Sequence, residues 1–198
     1  MTFSKLKTAL TAGAVFLLSG SQALSYVGLE GNIQKIEQAK EEVEEIEAKL
    51  ITGEGFTTEE TKVLNFFQKK GITDKMALAV LLGNIKQESL FVSNVCEGGA
   101  RVPYHSCHRG GYGLIQWTTV GRYDGLGKHA KNIGGDPSHI DTQLSYLVTE
   151  REWRDIEHRF KKPNQSMSYY MNAAYYWLGW GIHGNRTHYS GEYLNKLN

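Results

Sequence analysis

After residue 57, apolar positions recur at three- and four-residue steps, and they do not alternate over the length of a strand. That pattern predicts helices. The stretch "TTEETKVLNFFQKKG" opens on a capping box, Thr57 with Glu60, and stops at Gly71. A second helix runs from about Asp74 to Leu90 and carries the apolar run "MALAVLLGNI". Residues 93–117 are rich in glycine and polar side chains and predict two short β-like pieces at most. Helical periods return at about 119–131, 138–150 and 152–161, and again near 167–178 before Gly179. No internal repeat is present. The expected architecture is mainly α, a helical domain with one small irregular or β lobe.

Before residue 57 the pattern differs. Ile33, Ile36, Val43, Ile46 and Leu50 form one apolar stripe through the charged segment 28–50, which predicts an exposed amphipathic helix. "TGEG" at 52–55 breaks it and marks a linker. The first residues combine two lysines in "MTFSKLK", the apolar "TALTAGAVFLLSG" and the small-x-small triplet Ser21, Gln22, Ala23. Those three parts predict a secretory signal peptide, with a releasable membrane anchor as the alternative. The expected division is therefore 1–23 for export, 24–56 for the charged helix and linker, and 57–198 for the main domain. Membrane contact is expected through the N-terminal segment alone, if it is uncleaved.

Net charge is +1, and no basic stripe points to nucleic acid. The two cysteines, Cys96 and Cys107, would in an oxidising compartment form one disulfide around a loop of about a dozen residues. With His105 and His108 they also invite a zinc reading, but "CEGGARVPYHSCH" has no finger spacing. No metal and no cofactor are expected.

Two stretches carry candidate chemistry. The first is "GNIKQESLF", residues 83–91. At about 100° per residue, Glu88 lies within roughly 20° of both Ala77 and Leu81. It continues the apolar stripe to the point where the helix ends. A carboxyl against an apolar wall keeps its proton to higher pH, as a general acid must. The second is "RGGYGLIQWTTVGR", residues 109–122. Its glycines allow a tight turn and a close backbone approach to a ligand. Gln116 offers a donor and an acceptor, and Trp117 a flat apolar face with one N–H. That set suits a sugar ring.

Together the two stretches resemble the phage tail lysozyme family, within the lysozyme-like superfamily. Further matching stretches are "GRYDGLGKHA", "DTQLSYLVTE" with Gln143 and Glu150, "NAAYYWLGW", and the tail "NRTHYSGEYLNKL" led by Arg186. The resemblance covers residues 57–198. It implies an α+β lysozyme-like fold with a substrate cleft between the helical body and the small lobe. It implies cleavage of the glycan strands of bacterial peptidoglycan, with Glu88 as the catalytic glutamate and the Gln116 turn beside the cleft. Tyr112, Trp117 and Tyr176 are the further residues expected to meet substrate. The segment "LGWGIHG" departs from the family, which usually carries an acidic residue soon after the aromatics.

Glycoside hydrolysis usually needs a second carboxylate. Glu97, nine residues after Glu88, is the first candidate, and Asp124 is the reserve. Without one, attack by the sugar's own hydroxyl would make a lytic transglycosylase. A wall-binding or virion structural protein that keeps the fold is the non-enzymatic alternative. The location that follows is secreted, periplasmic or virion-associated.

Overall fold

The computed structural model describes residues 32–41, 50–108 and 110–198. The chain divides into two units, Met1–Lys49 and Leu50–Asn198. In the first, residues 32–41 are helical, and Ile33 and Ile36 are exposed. The export segment 1–23, and Val43 and Ile46 of the charged stripe, lie outside the described residues. No helix among the described residues is long and apolar enough to cross a membrane.

The second unit is built on two capped helices. Helix α1 (Thr58–Lys69) starts at the expected capping box: the Glu60 N–H donates to the Thr57 hydroxyl, and the Thr57 N–H donates to the Glu60 carboxylate. Helix α2 (Lys75–Ser89) starts at Asp74, whose carboxylate accepts from the Ala77 N–H at 3.0 Å. A helix that is apolar all round belongs in a core. Residues 77–85 of α2 are accordingly buried without interruption. The other helices are α3 (Val120–Ile133), α4 (Ile140–Leu147), α5 (Arg151–Arg154), α6 (Glu157–Phe160), α7 (Met167–Leu178) and α8 (Arg186–Lys196). Helices α1, α7 and α8 pack on α2.

The crossing of α2 and α8 is unusually close. A Cβ on Gly83 would lie 2.5 Å from both the backbone N and the hydroxyl of Ser190. The colliding partner is backbone, which cannot swing aside. Gly83→Ala is therefore expected to cost ~1–3 kcal/mol, the usual range for overpacking, measured by urea unfolding. An unchanged midpoint would mean that α8 slides along α2 without loss.

The expected helix at 152–161 is broken into α5 and α6. Trp153 and Phe160 are both buried and stack with centroids 5.7 Å apart. Seven residues of unbroken helix rise about 10 Å, so the break brings these rings together. Phe160 stacks in turn on Tyr170, and Phe67 packs against Trp153. Helix α4 ends at Leu147, short of the expected 150, and Glu150 becomes the extended residue before α5. Helix α8 was not foreseen as a helix.

Residues 90–119 form the small lobe. Its β content among the described residues is the isolated bridges Val95–Arg101 and Cys96–Tyr112, with one helical turn at Tyr104–Ser106. Cys96 and Cys107 are joined by a disulfide, with Cα atoms 5.6 Å apart. Neither sulfur is then available as a metal ligand or a nucleophile. Removing the bond frees a loop of this size and should cost about 3 kcal/mol in the chain-entropy model. Thermal melts of the Cys96→Ser, Cys107→Ser double variant test this, and a shift of under a degree would mean the lobe holds itself.

Candidate active site

Three consecutive residues at the end of α2 organise the site. Ser89 donates its hydroxyl to the Leu114 carbonyl at 2.9 Å and pins the glycine turn. Gln87 accepts from the Asn185 N–H at 2.7 Å and pins the start of α8. Glu88 stands between these two anchors. Lys86 does not pair with it. Lys86 bonds Glu192 at 2.8 Å and lies over the Tyr189 ring.

The glycine turn is held from behind by buried Gln143. Its amide nitrogen donates to the Ser93 carbonyl (2.6 Å) and the Pro137 carbonyl (2.8 Å), and its oxygen accepts from the Leu114 N–H (2.9 Å). Gly113 makes this fit possible. It sits at φ +74°, and a Cβ there would come within 2.6 Å of the Gln143 amide. The turn buries Tyr112, Leu114, Ile115 and Trp117 and leaves Gln116 part-exposed. Gln116 adopts a left-handed φ of 52°, a strained setting for a residue with a side chain. Its amide nitrogen is committed to the Gly113 carbonyl at 2.9 Å, which leaves its oxygen without a partner among the described residues.

Two expected substrate contacts are corrected by this geometry. Tyr112 and Trp117 are fully buried. The Tyr112 hydroxyl donates to Ser138 Oγ at 2.8 Å, and the Trp117 Nε1–H donates to Glu150 at 2.9 Å. Both are scaffold: the turn that leaves Gln116 on the cleft side sends its aromatic neighbours into the core. Tyr176 is exposed, edge-on to Tyr175, and lines neither groove described next.

Glu88 lies where two grooves meet. One, of about 530 Å³, is bounded by Glu88, Gln116, Arg122, Trp180, Ile182 and Arg186. The other, of about 350 Å³, shares Glu88 and Gln116 and runs past Lys86, Glu97, Gly98 and Tyr189. Glu97 is exposed, and its carboxylate accepts from the Gly111 N–H at 3.1 Å. Asp124 faces a separate hollow with Cys107, His108 and Tyr123, away from Glu88.

The charge arrangement was not visible in the local sequence. Glu88 forms an ion pair with Arg186, 98 positions away. The Arg186 guanidinium also lies over the Trp180 ring, 4.5 Å from its centroid. Burial pushes the Glu88 carboxyl above its ordinary range. The charge and hydrogen bond of Arg186, and the charge of Arg122, pull it back by less. Arg122 is itself held by Glu150, through Nε at 2.7 Å and Nη2 at 2.9 Å. Arg186, Trp180 and Ile182 were not among the expected site residues. The signal for Trp180 and Ile182 was the interruption "LGWGIHG" itself, where apolar side chains stand in place of an acidic residue, and that for Arg186 was its place at the head of the matching tail.

A half-buried carboxylate at a helix end, across an open cleft from a glycine turn on a small lobe, defines a lysozyme-like protein. The sequence accords with this: the family model for phage tail lysozyme matches residues 58–188, and the chain belongs to that family. The match includes Glu88, Gln116 and Arg186, and it assigns the protein a peptidoglycan-related, lysozyme-like role. No curated protein and no solved structure gives a match.

Proposed function

We propose that this protein is a muramidase that cleaves the glycosidic bond between N-acetylmuramic acid and N-acetylglucosamine, with Glu88 as general acid. The observation that carries this reading is the position of a half-buried carboxyl, its proton affinity raised by burial, at the meeting point of two grooves. A glycan strand lying along both would present a mid-chain linkage to Glu88. Glu88 protonates the leaving oxygen, positive charge develops on the ring, and water adds to the anomeric carbon. Glu97 is the carboxylate that steadies that charge or activates the water. Gln116 Oε1 is free to accept from a sugar hydroxyl or amide.

One observation favours a second reading. Among the described residues lining the larger groove, Glu88 is the single carboxylate, and Glu97 is engaged with Gly111. A lytic transglycosylase needs one acid. Mass spectrometry of digested walls separates the two, because hydrolysis yields reducing sugars and internal attack yields anhydro-sugars. A turbidity assay that shows no lysis would instead support a non-catalytic wall-binding role.

The disulfide and the family are compatible with an extracellular or virion-associated protein. We take residues 1–23 as the export segment or anchor, 24–56 as charged helix and linker, and 57–198 as the catalytic domain. N-terminal sequencing of protein made in a secreting host is expected to begin near Leu24. An intact Met1 on the soluble protein would favour the releasable anchor.

A further inference from the structure

Arg186 is buried, yet it lines the larger groove. Its Nη2 donates to Glu88 and its Nη1 to the His183 carbonyl at 3.3 Å, while its Nε has no partner among the described residues. A guanidinium carries five N–H donors, and leaving them unmet in a buried site is costly. Arg186 also opens α8, and a helix N-terminus disfavours a cation. Glu88 is the carboxylate whose charge supports it.

That support fails at the moment of reaction. A general acid must carry its proton, and a protonated Glu88 no longer neutralises Arg186. Arg122 is paired with Glu150 and Lys86 with Glu192, and Glu97, an exposed carboxylate that accepts from the Gly111 N–H, lines the adjoining groove and not this one. With Glu88 protonated, the described residues lining the larger groove supply no other carboxylate, so Arg186 faces the groove that receives substrate as a buried cation with no counter-ion there. A ligand anion can occupy that position and reach the unused donor once the side chain shifts off Glu88.

We infer that Arg186 receives a carboxylate carried by the glycan strand, and that this carboxylate takes Arg186 from Glu88 while Glu88 takes up a proton from solvent. The inference rests on the reading of Glu88 as general acid in a glycan cleft. It makes Arg186 the residue that selects acidic glycans over neutral chitin-like chains. Muramic acid supplies the anion in one of two ways: through its own lactyl carboxylate where no peptide is attached, or through the carboxylates of the attached peptide.

Binding calorimetry of the full chain and of Glu88→Gln tests this. The probes are a peptide-free muramic-acid tetrasaccharide, its peptide-bearing counterpart, and a neutral N-acetylglucosamine tetrasaccharide. The parent should take up about one proton per acidic sugar bound, read by comparing buffers of different ionisation enthalpy. Glu88→Gln should take up none and should bind an acidic sugar roughly ten- to a hundredfold more tightly, the worth of a hydrogen bond to a charged group freed from competition. The neutral sugar should bind both proteins alike. A gain confined to the peptide-bearing probe supports the inference with the peptide as the source of the anion. Equal affinity changes for acidic and neutral sugars, or no binding of the acidic probes by Glu88→Gln, would overturn it. Arg186→Gln should lose the acidic preference and keep the neutral affinity, and if that variant does not fold the Glu88→Gln comparison decides alone. Glu88→Gln that still lyses walls sinks the general-acid role, whereas undiscriminating binding sinks the role given to Arg186.

Discussion

Glu88→Gln is expected to lower wall-lytic activity by at least ~10²-fold, the low end for general acid catalysis, in a protein that stays folded. Glutamine fills the same space, and its amide oxygen can still accept from Arg186. What it lacks is a transferable proton. Stability should respond far less than activity. Burial holds the Glu88 carboxyl above its ordinary value of 4.5, so the folded state binds this proton more tightly than the unfolded chain does. The stabilising contribution is therefore whole below the unfolded value and is lost as pH rises through the folded one. At neutral pH the variant avoids burying an ionised carboxyl but leaves Arg186 without its charge partner, so the two effects offset and its melting temperature should stay within a few degrees of the parent's. Activity of the parent should fall as pH rises through the same raised value. Turbidity assays and melting curves across pH measure both. Glu97→Gln should cost less activity, because its carboxylate is shared with the Gly111 N–H. A Glu88→Gln variant with parental lysis would make Glu88 a structural partner of Arg186 and nothing more.

The largest loss of stability is expected at Glu150. This carboxylate is buried, with a side chain 3% exposed, and it accepts from Arg122 twice and from Trp117 once. Glu150→Gln leaves the Trp117 bond available but strips Arg122 of its charge partner. Breaking a largely buried pair from one side typically costs ~3–5 kcal/mol. At this chain size that lowers Tm by roughly 6–20 °C, at about 2–4 °C per kcal/mol. The same change frees a guanidinium at the wall of the cleft, so lysis should fall as well. Adding Arg122→Met removes the stranded charge, and the double variant should recover part of the loss. Additive losses in the double variant would show that the pair is not coupled.

The helices and the catalytic candidate were legible because their causes are local. The capping box at Thr57, the apolar run of α2 and the stop at Gly179 each lie within a few residues of the element they shape. The stripe of Ala77 and Leu81 carried Glu88 into a partly buried setting by helical period alone. The break between α5 and α6 was not legible, because its cause is the stacking of Trp153 on Phe160 within a core built by other helices. Helix α8 was missed for a related reason. Its sequence has little apolar periodicity, and its place is set by the gap that Gly83 leaves on α2.

By itself the sequence determined a mainly helical domain, a family, a glutamate at a helix end and a glycine turn with Gln116 beside it. Tertiary structure decided which of the turn's residues meet the cleft, burying Tyr112 and Trp117 and leaving Gln116 on the open side. It also decided the partners of the charges: Arg186 for Glu88 across 98 positions, and Glu150 for Arg122 across 28. Periodicity reports which face of an element is apolar. It does not report which charge another element brings to that face, because an ion pair depends on packing between helices and leaves no repeat in the chain.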